Sequence, residues 1–349
     1  MAKASPWWAP EHHNDRRERL LVRARIAAAI RMHFEEHGFI ETACAALTGS
    51  PGNETHLHAV AAEMEDAGGT AHRLFLHTSP EFAMKKLLAA GEQRIFELAR
   101  VYRSRESGPL NASEFTMLEW YRAGVPYEAV IEDALAIVRL AARTAGTSEL
   151  RYRGRRASME VAPQRITVAD AFTKFAGIDL LATIDDSGHG DRDTLAALAR
   201  QAGIARTARD GWSDIFSRVL AERIEPNLHE GIVVLDQYPR PEAALARASP
   251  RDPRVAERFE IYVAGVELAN GFGELTDPAE QRRRFEAQMA EKARIYQRRY
   301  PIDEELLEAL AKMPPASGVA LGFDRLVMLA TDAHAIDDVL WTPPPRFEH

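Results

Sequence analysis

An α+β fold is predicted for this chain of 349 residues, on three observations. Residues 114–121 alternate strictly: Phe115, Met117, Glu119 and Tyr121 share one strand face, and Thr116, Leu118 and Trp120 share the other. Residues 259–263 and 266–269 are strand-like and separated only by Ala264-Gly265, which suits a two-residue antiparallel hairpin. Residues 128–144 carry Ile131, Leu135 and Val138 along one side, the mark of an amphipathic helix.

The composition bounds the class. With 46% hydrophobic and 28% charged residues the chain is globular rather than disordered. A net charge of −8 argues against coating of nucleic acid, which needs a basic face. One cysteine, Cys44, excludes an internal disulfide and fits a reducing compartment. Neither a secretory leader nor a membrane-length apolar run is read, so the cytoplasm is the expected location.

Taken in order, residues 1–14 lack periodicity and read as an N-terminal arm. A helix follows over about residues 16–37, with Ile26, Ile30 and Phe34 at helical spacing and Gly38 as its stop. Residues 39–42 read as a short strand. His56 and His58 alternate; with no third ligand at a telling spacing they read as a polar strand face rather than a metal site. Residues 81–90 form a helix entered through Ser79-Pro80, and residues 95–103 form a strand. Residues 147–230 read as Ala- and Arg-rich helical segments with turns at Gly177, Ser187-Gly188 and Gly203. Residues 232–235 are a buried strand. Residues 280–298 and 304–312 read as polar peripheral helices, so the arginines at 282–284 read as solvated. Residues 317–328 read as strand, glycine, helix.

Some residues ask for partners. A face bearing Glu119 and Tyr121 is either solvated or the floor of a pocket. The hairpin would pair Tyr262 with Glu267 and Glu260 with Ala269. Glu260 and Glu267 then share a face, and they repel unless a cation or a proton lies between them. Arg325 in a first helical turn opposes the helix dipole, so it wants an anion or an aromatic ring.

Four stretches together carry a family resemblance: His77-Thr78-Ser79-Pro80-Glu81, the run from Glu114 to Tyr121, the run from Gly265 to Phe272, and Gly318 to Leu326. They resemble the catalytic core of class II lysyl-tRNA synthetases. They resemble still more the short stand-alone paralogues that attach lysine to elongation factor P. The likeness spans about residues 16–330.

The resemblance implies an antiparallel sheet flanked by helices in one catalytic domain, residues 15–349, usually a homodimer. It implies that Ser79, Pro80 and Glu81 belong to the amino-acid site, with Glu81 on the α- or β-amino group. Glu119, Tyr121 and Glu274 would meet the side-chain ammonium. Arg103 would grip the α-phosphate and the substrate carboxylate, and Phe115 and Arg325 would sandwich adenine. Glu260 and Glu267 match the Mg²⁺ ligands, while Leu268, Asn270 and Gly322 line the site. ATP and Mg²⁺ are therefore expected. The loop after Arg103 departs from the family pattern: Arg105 stands where an ATP-binding glutamate is expected, with Glu106 next to it, and Asn111 stands in the shortened loop. Ala43 replaces the usual proline of the dimer motif.

Lysyl-tRNA synthetases carry an N-terminal OB-fold that reads the anticodon. A first core helix near Arg16 leaves no room for one here, and Ala320 stands where the synthetases usually have glycine. The expected activity is adenylation of lysine or β-lysine and its transfer to a lysine of elongation factor P. Charging of tRNA or another small acceptor is the alternative, and a catalytically silent sensor or binding module is a third.

Overall fold

The computed structural model describes residues 6–205 and 207–345. Helix α1 (Pro10–Glu36) is followed by β1 (Ile40–Glu41), β2 (Leu47–Thr48) and the hairpin of β3 (Val60–Glu65) and β4 (Ala71–Leu76). Next come α2 (Glu81–Ala90), β5 (Arg94–Tyr102), β6 (Glu114–Ala123) and α3 (Tyr127–Ala145). The middle holds β7 (Glu149–Tyr152), β8 (Arg155–Ser158), β9 (Gln164–Thr167), α4 (Val168–Ala176), α5 (Arg192–Gln201) and α6 (Trp212–Val219). The last part holds β10 (Ile232–Asp236), β11 (Arg258–Val263), β12 (Val266–Gly273), α7 (Pro278–Tyr296), α8 (Glu304–Leu310), β13 (Ala316–Gly322) and α9 (Phe323–Ala330).

The organising unit is an eight-stranded sheet in the order β1-β5-β6-β13-β12-β11-β10-β9. Its six inner strands pair antiparallel, as expected. Both edges differ: β1 runs parallel to β5, and β9 parallel to β10. One face of β6 behaves as its alternation predicts. Leu118 and Trp120 are wholly buried in the main core, against Ile26, Ile30 and Phe34 of α1 and Val130, Ala134 and Val138 of α3. Helix α9 closes this layer. Its Asp324 accepts the Thr116 backbone N–H at 2.7 Å and pairs with Arg23 of α1, so a buried carboxylate is satisfied from two sides. A second core lies between α4, α5 and α6 and the strands β10 and β11. This second core covers the β10–β11 end of the opposite face, and the cavity described below opens over another part of that face.

Three expectations are corrected. Helix α1 begins at Pro10, not near Arg16, with proline in its first turn. Residues 10–14 of the predicted arm are therefore helical, and residues 1–5 lie outside the described residues. His56 and His58 are not on a strand. They pack on Tyr296, with His56 Nδ1 2.9 Å from its hydroxyl and the His58 ring edge-on to it. The hairpin turn forms at Ala264-Gly265, both at positive φ, but the pairing slips past it. Tyr262 pairs Glu267 as expected, whereas Glu260 pairs Asn270, because Leu268 is an extra residue in a β-bulge. Among the described residues no helix is long and apolar enough to cross a membrane.

Candidate active site

The bulge decides what the site can contain. Without it, Glu267 and Asn270, three residues apart, would face opposite ways. With it, Glu260, Tyr262, Glu267, Asn270 and Phe272 all lie on the open face. The pairing then sets rows across the sheet. Glu97, Glu119, Ala320, Asn270 and Glu260 form one, and Ile95, Tyr121, Gly318, Phe272 and Arg258 form the next.

A cavity of about 960 Å³ opens over these rows. Ser79, Pro80, Glu81, Arg103, Glu106, Asn111, Phe115, Glu267, Leu268, Asn270, Gly322 and Arg325 all line it. The structure thus brings together residues spread over most of the chain. Glu119, Tyr121, Glu274 and Glu260 are buried and do not reach the lining.

At one end the chemistry is acidic. Ser79 sits just before α2, where its Oγ accepts the Glu81 backbone N–H at 3.0 Å and donates to Glu119 Oε2 at 2.7 Å. Tyr121 donates to the other Glu119 oxygen at 2.6 Å. Burial and then Glu81 push the Glu119 carboxyl up to about 8, against the pull of Tyr121 and Ser79. Lys85, one turn after Glu81 on α2 and 1% exposed, lies between two carboxylates. Its Nζ is 2.6 Å from Glu81 Oε1 and 2.6 Å from Glu274 Oε2. Burial alone would lower that ammonium, but Glu274 and Glu81 hold it above the ordinary lysine range. Burial raises Glu274 to about 7, with Lys85 opposing. Asn270 Oδ1 and Glu274 Oε1 are buried with no donor, and Glu274 Oε2 has only the Lys85 ion pair. Gly318 makes this crowding possible, since a Cβ there would overlap the Tyr121 ring and lie 2.8 Å from Glu274 Oε1.

The other end is cationic and aromatic. The Arg103 guanidinium lies 5.2 Å from the Phe115 ring centroid, and its Nε donates to the Thr78 carbonyl at 3.2 Å. Arg325, in the first turn of α9, donates to the Glu267 and Leu110 carbonyls and to Asn111 Oδ1 at 2.8, 3.2 and 3.1 Å. The anion that its helix position asked for is the Glu267 carboxylate, 3.8 Å away. Asn111 thus anchors the arginine. Arg105 has φ 67, does not line the cavity, and its guanidinium lies 5.4 Å from the Tyr296 ring centroid. Its left-handed backbone turns the next residue inward, so Glu106 faces Arg103 at 3.7 Å.

The two carboxylates matched to Mg²⁺ fit unequally. Glu267 stands in the cavity wall with 45% of its side chain accessible; enclosure by the cavity and then the like charge of Glu260 raise its carboxyl, so a cation there would relieve it. Glu260 is engaged on both oxygens, by Arg258 at 2.8 Å and Tyr262 at 2.9 Å. Among the described residues there is no group of three side chains able to hold a metal ion. One or two carboxylates fit an ion that draws its other ligands from phosphate and water.

Several side chains of the candidate site were not singled out from the sequence. Lys85 stands four residues after Glu81, and Arg258 two before Glu260, spacings that place each pair on one face. Those spacings were the available signal. Arg283 and Arg284, read as solvated, line the cavity, and Arg284 donates to the Ala244 and Ala246 carbonyls, both at 2.8 Å.

Comparison with known proteins agrees with this architecture. The sequence matches the family of tRNA synthetases class II (D, K and N) over residues 9–345. A protein of Haemophilus influenzae (strain PittGG), named elongation factor P--(R)-beta-lysine ligase, is 36% identical over 324 residues, 92% of this chain and 93% of that one. Proteins of the same name from Vibrio cholerae and Sodalis glossinidius are 37% and 38% identical, covering 94% and 92% of this chain and 95% and 93% of their own. The chain belongs to the class II tRNA synthetase family of the D, K and N type, and within it to the group of elongation factor P ligases.

Proposed function

We propose that this protein is an ATP-dependent ligase that adenylates lysine or β-lysine and transfers it to a lysine side chain of elongation factor P. The observation that carries the amino-acid end is the pair of buried acceptors without donors, Asn270 Oδ1 and Glu274 Oε1, beside Glu81. Ammonium groups are the donors such a site lacks, and a desolvated ammonium needs paired acceptors. The names of the relatives support the acceptor protein and the β-isomer.

In the first step a carboxylate oxygen of the amino acid attacks the α-phosphorus of ATP, and the bond to pyrophosphate breaks. Arg103 would orient the carboxylate and the α-phosphate, and Phe115 and Arg325 would flank adenine. Glu106 would accept the adenine amino group. Mg²⁺, held at Glu267 with Glu260 behind it, would supply neutralisation of the phosphate charge. In the second step the acceptor amine, having lost a proton, attacks the carbonyl carbon of the mixed anhydride. An amide bond forms and AMP leaves. We place this activity in the cytoplasm and in a homodimer. Exposed Met32, Ile40 and Leu47 around the short edge strand β1 support the second point.

The test is ATP–pyrophosphate exchange with α-lysine and β-lysine, followed by the mass of elongation factor P after incubation. Exchange and a mass increase of one residue are expected. Absence of exchange with both isomers would sink the enzyme assignment. Exchange with an unshifted factor and charged tRNA would move the acceptor to RNA.

A further inference from the structure

Lys85 is the one buried cation of the acidic end, and the two-step chemistry above makes no use of it. Its ammonium is 1% exposed, too enclosed to be a surface ion pair. It takes a single oxygen from each of two carboxylates, Glu81 Oε1 and Glu274 Oε2, at 2.6 Å each. The second oxygen of Glu274 is left without a donor. Glu81 likewise has its Lys85 bond on Oε1 alone, and its side chain lines the cavity.

We propose that Lys85 is a resident ammonium that sets the specificity of the amino-acid site. By occupying one oxygen of Glu81 and one of Glu274 it leaves the other two, one on the cavity wall and one just beneath it, for a substrate carrying two ammonium groups. This rests on the assignment of the acidic end as the amino-acid site.

The charges favour the same conclusion. Glu81, Glu119 and Glu274 surround one internal ammonium, so with all three carboxylates ionised the cluster would carry two negative charges in excess. A diamino acid brings two positive ones there and keeps its carboxylate for Arg103. A monoamine would leave a buried carboxylate uncompensated. The other charged or titratable groups near the cluster are accounted for. Arg247 near Glu274 is paired with Glu257. Glu97, opposite Glu119 on β5, accepts from Thr42 and from the Cys44 backbone N–H, each at 3.0 Å. The Cys44 thiol is held protonated by burial and by Glu97. Glu54 also lines the cavity and lies in the fields of both Arg103 and Glu81. The Tyr121 phenol keeps its proton and spends it on Glu119.

The experiment compares Lys85→Met and Lys85→Arg with the wild type in ATP–pyrophosphate exchange. Lys85→Met should raise the amino-acid KM by about tenfold or more near neutral pH and leave the ATP KM within about twofold. That excess should shrink from about pH 7 to about pH 9, as Glu274 of the variant gives up the proton it takes in place of the lysine. Lys85→Arg keeps the charge, but its planar fork cannot sit between two oxygens as an ammonium does. Its amino-acid KM should rise by about threefold, with a pH profile like the wild type. An unchanged amino-acid KM in Lys85→Met, an equal rise in both KM values, or a wild-type pH profile would overturn the inference. If Lys85→Met does not fold, Lys85→Arg carries the test, and there an unchanged amino-acid KM or an equal rise for ATP overturns it. Failure of the wild type to exchange with either lysine isomer would instead overturn the amino-acid site itself, so the two failures are distinguishable.

Discussion

A single backbone angle decides which residue of the loop after β5 faces the nucleotide end. Arg105 has φ 67, a left-handed conformation that costs a non-glycine residue roughly 1 kcal/mol. In return Glu106 points at Arg103 and lines the cavity, while Arg105 caps Tyr296. Glu106→Gln should therefore raise the ATP KM by about tenfold, the worth of one hydrogen bond to a charged group. Arg105→Ala should change the ATP KM by less than about twofold, and Arg105→Gly should raise the melting temperature by relieving the backbone. Steady-state kinetics with ATP as the varied substrate separates the two sites. A larger loss in Arg105→Ala than in Glu106→Gln would return the nucleotide contact to Arg105. Sequence position alone left Arg105 and Glu106 both open, because a register of side chains cannot announce a residue with positive φ unless that residue is glycine or asparagine.

The strand pair β11–β12 is where alternation was both most useful and most misleading. Its turn was legible because only a few dipeptides close a two-residue hairpin, and the face of β6 was legible because Leu118 and Trp120 must be buried. The bulge at Leu268 was not, because this residue is as apolar as a regular strand position would require. Nor was the start of α1, whose first turns carry no residue that the core buries before Arg16. Strands β7, β8 and β9 were missed because four residues are too few for a period to be counted. The contact of Lys85 with Glu274 joins distant parts of the chain, so only the pairing of β12 with β13 and of β13 with β6 creates it. Those same pairings place Gly318 between Tyr121 and Phe272. A methyl group at Gly318 would overlap the Tyr121 ring, so Gly318→Ala should destabilise the protein by about 1–3 kcal/mol and raise the amino-acid KM more than the ATP KM. Calorimetric unfolding with the same kinetic split checks it; an unaffected amino-acid KM would mean that Tyr121 can retreat without cost to the site.

At the scale of the whole molecule, the site is a place where the empty fold works against itself, and pH should expose this. Burial raises Glu119 to about 8 and Glu267 and Glu274 to about 7, from an ordinary value of 4.5. Between those limits the folded chain binds more protons than the unfolded one. Stability must then fall as the pH rises, until the raised values are passed. Other groups bend the curve outside this window. The buried His58 ring, lowered to about 4, favours the fold as the pH climbs to its ordinary value of 6.5. Lys292, lowered by burial to about 8 while it donates to the carbonyls of Glu54, Thr55 and Leu57, favours it again at higher pH. The interval from about pH 6.5 to about pH 8 thus belongs to the three glutamates, with the Glu54 and Glu242 carboxyls, which enclosure by the cavity also raises, adding to the same slope; across it the melting temperature should drop by a few degrees, on the order of 2–4 °C. Lysine or β-lysine should reduce the drop, because an ammonium at Glu274 favours its ionised form. Glu274→Gln should flatten the slope in the absence of ligand, since it removes one of the three titrations. Scanning calorimetry at both ends of the interval, with and without the amino acid, measures all of this. A melting temperature that rises through the interval, or a slope that lysine leaves unchanged, would mean that these carboxylates keep their ordinary ionisation in the folded chain and that the acidic end is not strained toward a cation.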